Sequence, residues 1–131
     1  MRKSVIIVVT FILIGCNSHR SAHTPGDVLA NVVYALNTRD VALFMDNMDQ
    51  TRREALSKGN RINQIFDTTQ GVHFTAGVIS VDTDGNVANI GFWLKTSGKV
   101  KDTFSRIDAQ FYKEGDSWKC GPITAVNGKK L

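Results

Sequence analysis

The period of the hydrophobic pattern changes once along this chain, near residue 71, and that change limits the folds it can reach. Before it, apolar residues recur at three- and four-residue spacing: Val28, Leu29, Val32, Val33 and Leu36, then Val41, Phe44, Met45 and Met48. Such spacing puts each set on one stripe of a helix. Thr24-Pro25-Gly26-Asp27 opens the first helix, with Thr24 as N-cap, Pro25 where a missing N–H costs nothing, and Asp27 placed to close a capping box. Asn37-Thr38-Arg39-Asp40 separates the two stripes. A third helical stretch, 51–66, carries Ala55, Leu56, Ile62, Ile65 and Phe66 and is interrupted at Ser57-Lys58-Gly59-Asn60.

Beyond residue 71 the stretches 72–81, 87–95, 100–112 and 117–123 are rich in β-branched and aromatic residues. Turn chemistry fills the gaps: Asp84-Gly85-Asn86, Ser97-Gly98 and Glu114-Gly115-Asp116. Gaps this short force antiparallel neighbours, so a four-stranded meander is expected. Ala88, Ile90, Phe92 and Leu94 share one strand face and are assigned to the core. In the third strand Val100 and Phe104 hold one parity, whereas Ile107, Ala109 and Phe111 hold the other. A bulge near Ser105-Arg106 is expected to reconcile them and to curve the sheet. N-terminal helices packed on a curved antiparallel sheet form an α+β layer arrangement, a single domain over 24–131.

Thr-Pro-x-Asp-Val at 24–28, the link Ala35-Leu36-Asn37-Thr38-Arg39-Asp40, and Gly115-Asp116-Ser117-Trp118-Lys119 before the last strand occur in this order. In these features the chain resembles the nuclear transport factor 2-like, or cystatin-like, superfamily, and within it small bacterial lipoproteins whose domain function is unassigned. The resemblance implies a cone between sheet and helices. Some members, such as ketosteroid isomerases and scytalone dehydratases, use Asp, Tyr or His inside that cone; no matching motif occurs here.

The first residues supply an address. Arg2 and Lys3 precede the uncharged run from Val5 to Gly15, the pattern of a secretory h-region. A bilayer-spanning helix needs roughly 20 apolar residues, and this run meets Asn17, Ser18, His19 and Arg20 first. Leu13-Ile14-Gly15-Cys16 resembles the lipobox of bacterial lipoproteins. That resemblance implies a signal peptide over 1–15, cleavage between Gly15 and Cys16, and acylation of Cys16 with palmitate-type chains. It further implies an exported protein held to the membrane through its lipid on the periplasmic side, and Asn17 resembles the sorting signal for the outer membrane of a Gram-negative cell. Two or three acyl chains on one residue anchor stably without a spanning helix. The segment 16–23 reads as a lipidated tether; the seven residues after Cys16 reach at most about 25 Å. His19 and His23 within it lack the helical spacing of a metal pair.

Cleavage removes Arg2 and Lys3, leaving 14 basic against 12 acidic residues, a net of +2. Positives are scattered rather than striped, which argues against nucleic acid. With Cys16 acylated, Cys120 has no internal partner; it shares a strand face with Trp118 and reads as a buried thiol. No cofactor or metal pattern is present: Asp82-Thr83-Asp84-Gly85-Asn86 lacks the spacing and closing Glu of a calcium loop. His73, the one histidine of the domain, has no carboxylate partner in sequence reach.

Asp102, Arg106, Asp108 and Gln110 alternate on one nominal face of the third strand, as a solvated outer face would or as an acid–base group would. Trp93 lies opposite Phe92 and Leu94, as an exposed anchor or under a covering helix. Trp93, Arg106, Asp102 and Asp108 are therefore the candidate contacts for a partner or pocket. The expected function is a non-catalytic, lipid-anchored binding domain for an envelope protein or small ligand. An enzyme acting on a small hydrophobic molecule in the cone, and an immunity or exclusion lipoprotein that neutralises an envelope-targeted toxin, fit the same sequence.

Overall fold

Thr24 caps the first helix as its sequence dictates. Its hydroxyl accepts from the Asp27 amide at 3.2 Å, while the Asp27 carboxylate accepts from the amides of Thr24 and His23 at 3.0 and 3.1 Å. These bonds satisfy amides that the helix start would otherwise leave open. The computed structural model describes residues 22–131. The leader, the Gly15–Cys16 junction and the tether up to residue 21 lie outside the described residues.

Helix α1 (Pro25–Thr38) ends at Arg39, which adopts a left-handed conformation with φ 61°. Asp40 then caps α2 (Val41–Asp46) and Asp49 caps α3 (Gln50–Ser57), their carboxylates accepting from Leu43 and Arg52 amides at 3.0 and 2.8 Å. The third helical stretch divides at Lys58-Gly59-Asn60, and α4 (Arg61–Thr68) follows.

Strands β1 (Val72–Asp84), β2 (Val87–Gly98), β3 (Thr103–Glu114) and β4 (Ser117–Val126) form the antiparallel meander. The sheet has five strands rather than four, because β5 (Lys129–Lys130) pairs back onto β4. Asn127 and Gly128, with φ 52° and 82°, make the two-residue turn that returns the chain. Asn-Gly is a strong hairpin signal, but the three residues after it show no alternation, and the sequence pattern passes over them.

The expected bulge at Ser105-Arg106 is absent. Pairing of β2 with β3 runs unbroken from Val87–Tyr112 to Thr96–Thr103. Val100 lies before β3, and Phe104 simply faces outward with 63 % of its surface exposed, so no parity conflict exists. The irregularities sit elsewhere: Ile79 is the extra residue between Val78 and Ser80 of β1, and β4 carries extra residues opposite Asp108 to Phe111. Each adds local twist and bend to its strand.

Two buried clusters hold the layers together. Val28 and Leu29 of α1 pack on Ala88, Ile90, Phe92, Ile107, Ala109, Phe111 and Trp118 of the sheet, and Ala22 joins them from before the helix. Ala35, Leu43, Phe44, Met48 and Phe66 form the second cluster among the helices, with the Phe44 and Phe66 rings edge to face at 5.4 Å. Among the described residues no helix is long and apolar enough to cross a membrane.

Phe111 is 1 % exposed at the centre of the first cluster. Phe111→Ala is expected to destabilise the fold by about 3–5 kcal/mol, and Phe104→Ala, on the outer face, by less than about 1 kcal/mol. Denaturant titration of the two variants checks the contrast.

Candidate functional site

The helices cover one face of the sheet, and alternation sends every second side chain of β2 and β3 to the other face. On that outer face Trp93 stands opposite Arg106, Lys95 opposite Phe104, and Gly91 opposite Asp108. Trp93 and Phe104 rings lie 6.0 Å apart at 46°. The Arg106 guanidinium meets the Asp108 carboxylate at 3.4 Å in an exposed pair, which contributes little stability.

Two glycines make this arrangement possible. A Cβ on Gly77 would lie 2.5 Å from the Trp93 ring, so the indole rests directly on the β1 backbone. A Cβ on Gly91 would lie 2.7 Å from the Arg106 guanidinium and 2.9 Å from the Asp108 carboxylate. Glycine inside a strand marks such a close approach.

Three of the four candidate contacts therefore come together: Trp93, Arg106 and Asp108. Asp102 does not join them, because it lies in the exposed connection before β3. Trp93 is half-buried by Gly77 and Phe104 rather than by a helix. His73 is exposed on the edge strand β1, opposite Ser97. Phe104 belongs to the site although its hydrophobic identity pointed to the core; the signal that places it is its shared parity with Arg106, Asp108 and Gln110. Gly77 and Gly91 carried a signal too, as isolated glycines within strand patterns.

The helix-covered side has a different chemistry. Its buried polar side chains among the described residues are Asn47 and Asp49, both in the link between α2 and α3. Asn47 donates to the Leu43 carbonyl at 2.9 Å and accepts from Asn31 at 3.1 Å. Beside them, burial pushes the Cys120 thiol from 9.0 up to about 12, the Asp49 carboxylate adds to the rise and Arg52 opposes it. A thiol so placed stays protonated and unreactive. Among the described residues no cluster of three metal-ligating side chains occurs.

Known structures share this architecture. A SEC-C motif containing protein from Rhodopseudomonas palustris aligns with a TM-score of 0.70 at 17 % identity, covering 82 % of either chain. A protein of unknown function with a cystatin-like fold from Nostoc punctiforme aligns at 0.55 and 13 % identity, over 76 % of this chain and 89 % of that one. A nuclear transport factor 2-like protein of unknown function from Pseudomonas putida aligns at 0.55 and 9 % identity, over 72 % and 78 %. No family model and no curated protein matches the sequence. The chain thus has a nuclear transport factor 2-like, cystatin-like fold.

Gly77→Val is expected to lift the indole of Trp93 off the sheet, red-shifting its emission and raising its acrylamide quenching in a Trp118→Phe background. In the unfolded chain Cys120 regains an ordinary pKa, so alkylation at pH 8 in a Cys16→Ser background should be at least about a hundredfold slower in the folded protein. The stabilising effect of the neutral buried thiol is whole below the ordinary thiol pKa. It declines as pH rises from there toward about 12, because only the unfolded chain releases the proton.

Proposed function

We propose that this protein is a lipid-anchored envelope lipoprotein whose domain binds another envelope component through the outer face of its sheet. The observation that carries the proposal is the Trp93–Phe104 pair, seated over Gly77 and flanked by Lys95 and Arg106. Tryptophan and arginine are the side chains most enriched among residues that dominate binding energy, and a ring fixed on a backbone loses little entropy on contact. The lipobox-like Leu13-Ile14-Gly15-Cys16 supports the address.

The positions of the titratable groups support a binding task over a catalytic one. Asp108 and Arg106 project from the outer face and His73 from its edge, the helix-facing side of the sheet is lined by Val28, Leu29, Ile90, Phe92, Ile107 and Phe111, and the buried Asp49 carboxylate is committed to capping α3, accepting from the Arg52 amide at 2.8 Å and meeting the Arg52 guanidinium at 3.5 Å. General acid–base work asks for a carboxylate or imidazole in a desolvated site.

Two measurements test the proposal. Metabolic labelling with an alkyne fatty acid should mark the wild-type chain and not Cys16→Ser; label on that variant, or none on the wild type, overturns the anchor. A photo-crosslinking residue at position 104 should give a discrete adduct in cells that Trp93→Ala abolishes, and one at exposed position 63 should not. Equal adducts at both positions overturn the binding face.

A further inference from the structure

Beside the aromatic pair, the outer face carries a polar cup. Ser80, Arg106 and Asp108 lean over a position of β2 that has no side chain of its own. A Cβ on Gly91 would meet the Ser80 hydroxyl at 3.0 Å as well as the Arg106 and Asp108 groups. A hydroxyl, a cation and an anion thus converge above one point of bare backbone. Gly91 is buried by them, although no helix covers this face.

The irregularity in β1 is what aims Ser80. Val78 pairs with Phe92 and Ser80 with Gly91, which leaves Ile79 as the extra residue. Without it, alternation from Gly77 would turn residue 79 outward and Ser80 toward the core. With it, the serine stands over Gly91 and Ile79 is left 48 % exposed. Bulges beside functional sites re-aim side chains in this way.

The other two groups rise from a fixed strand. The Arg106 amide donates to the Asn127 side chain at 2.8 Å, the Arg106 carbonyl accepts from the Asn127 amide at 2.7 Å, and the Asp108 carbonyl accepts from the Thr124 hydroxyl at 3.1 Å. Their bases are therefore set before any ligand arrives. Among the described residues Arg106 and Asp108 make one side-chain bond, to each other at 3.4 Å, and the Ser80 hydroxyl makes none. Most of the guanidinium N–H groups and the second carboxylate oxygen stay open.

We infer that this cup and the Trp93 ring together bind an uncharged saccharide with equatorial hydroxyls. The inference rests on the outer face being the binding face, as proposed above, and names its occupant. Gly91 and Trp93 are successive outward positions about 7 Å apart along β2, so a hexose stacked on the indole brings its hydroxyl rim to the cup. One indole face lies on Gly77 and Phe104 closes a side, leaving a flat face for one ring. The π-cloud of that face is negative and attracts the polarised C–H bonds that such a pyranose presents. Neighbouring sugar hydroxyls both donate and accept, and the cup offers an acceptor in Asp108, a donor in Arg106 and either in Ser80. Charge selects against an anion: Asp108 already neutralises Arg106, and a phosphate would have to break that pair.

Chitotetraose and cellotetraose, titrated into the full chain carrying Cys16→Ser and Trp118→Phe, test the inference, with Trp93 emission as the readout. At least one is expected to shift that emission with a dissociation constant of about 1 mM or tighter. The affinity should hold between roughly 50 and 500 mM salt, because the ligand is neutral. Asp108→Ala, and Gly91→Ala, whose methyl group enters the cup, should each weaken binding about ten-fold with native circular dichroism kept, and Ser80→Ala about three-fold. No shift with either sugar at about 10 mM overturns the inference, as does unchanged affinity in Asp108→Ala. Affinity that falls steeply with salt overturns it in favour of an anion. If the sugars fail while the adduct at position 104 still depends on Trp93, the binding face stands and the saccharide does not; an adduct of twice the chain's mass gives that face to a second copy.

Discussion

Two backbone hydrogen bonds at Cys120 decide where everything else in this molecule can go. The Cys120 amide donates to the Asn47 carbonyl at 2.7 Å, and the Cys120 carbonyl accepts from the Asp49 amide at 2.9 Å, so the α2–α3 link pairs with β4 as one step of a parallel ladder. Two residues earlier the Trp118 amide reaches Ala22. These contacts occupy the stretch of β4 edge that the two-residue β5 does not reach. At the other edge Asn37 does the same task with one side chain, accepting from the Phe74 amide at 2.7 Å and donating to the Phe74 carbonyl at 2.8 Å. An amide side chain so placed copies the pairing of a neighbouring strand, and edges left open are templates for aggregation.

Pinning the helices at both edges commits them to one face and strips the other of cover. An uncovered sheet face normally carries polar side chains in alternation. Here Thr75, Lys95, Asn89, Asp108 and Gln110 follow that rule, and Trp93 and Phe104 break it. Their exception has a structural cost that the sequence has met with Gly77, a residue that weakens a strand interior by about 0.5–1 kcal/mol relative to alanine. The exposed aromatic pair returns about 0.5–1.5 kcal/mol beyond its buried area, so the arrangement is close to neutral for stability. A ring held over a glycine at no gain to the fold is better explained by what it meets from outside.

The layers of this fold were legible because each rests on a local rule. The Thr24–Asp27 capping box, the stripe from Val28, and the alternation of Ala88, Ile90 and Phe92 all specify themselves within a few residues. The tertiary facts were not legible in that way. Pairing of Met48 with Cys120 and of Asn37 with Phe74 joins residues 72 and 37 positions apart, and no period encodes it. At Phe104 hydrophobic identity argues for the inner face, but the unbroken register from Val87 to Thr96 places this aromatic outside. The candidate site was half legible: Trp93, Arg106 and Asp108 follow from alternation once the strand is known, but the glycine beneath each side chain is a cross-strand relation. Asp102 was lost by one residue, since β3 begins at Thr103.

Net charge hides the remaining feature, because a sum is blind to position. In a meander successive turns fall at alternate ends of the sheet. The first and third turns here are Asp84-Gly85-Asn86 and Glu114-Gly115-Asp116, both acidic, while the second contains Lys99 and Lys101 beside Asp102, and the fourth, Asn127-Gly128, meets β3 at Arg106 and stops short of that end. The two acidic turns therefore share one end of the sheet, with Lys113, Lys119 and Arg53 beside them, whereas Lys129 and Lys130 lie level with Ile107 and Asp108 at mid-strand. Which charges become neighbours in this chain is set by strand order and register, so the topology of the sheet, more than any single side chain, decides where each charge acts.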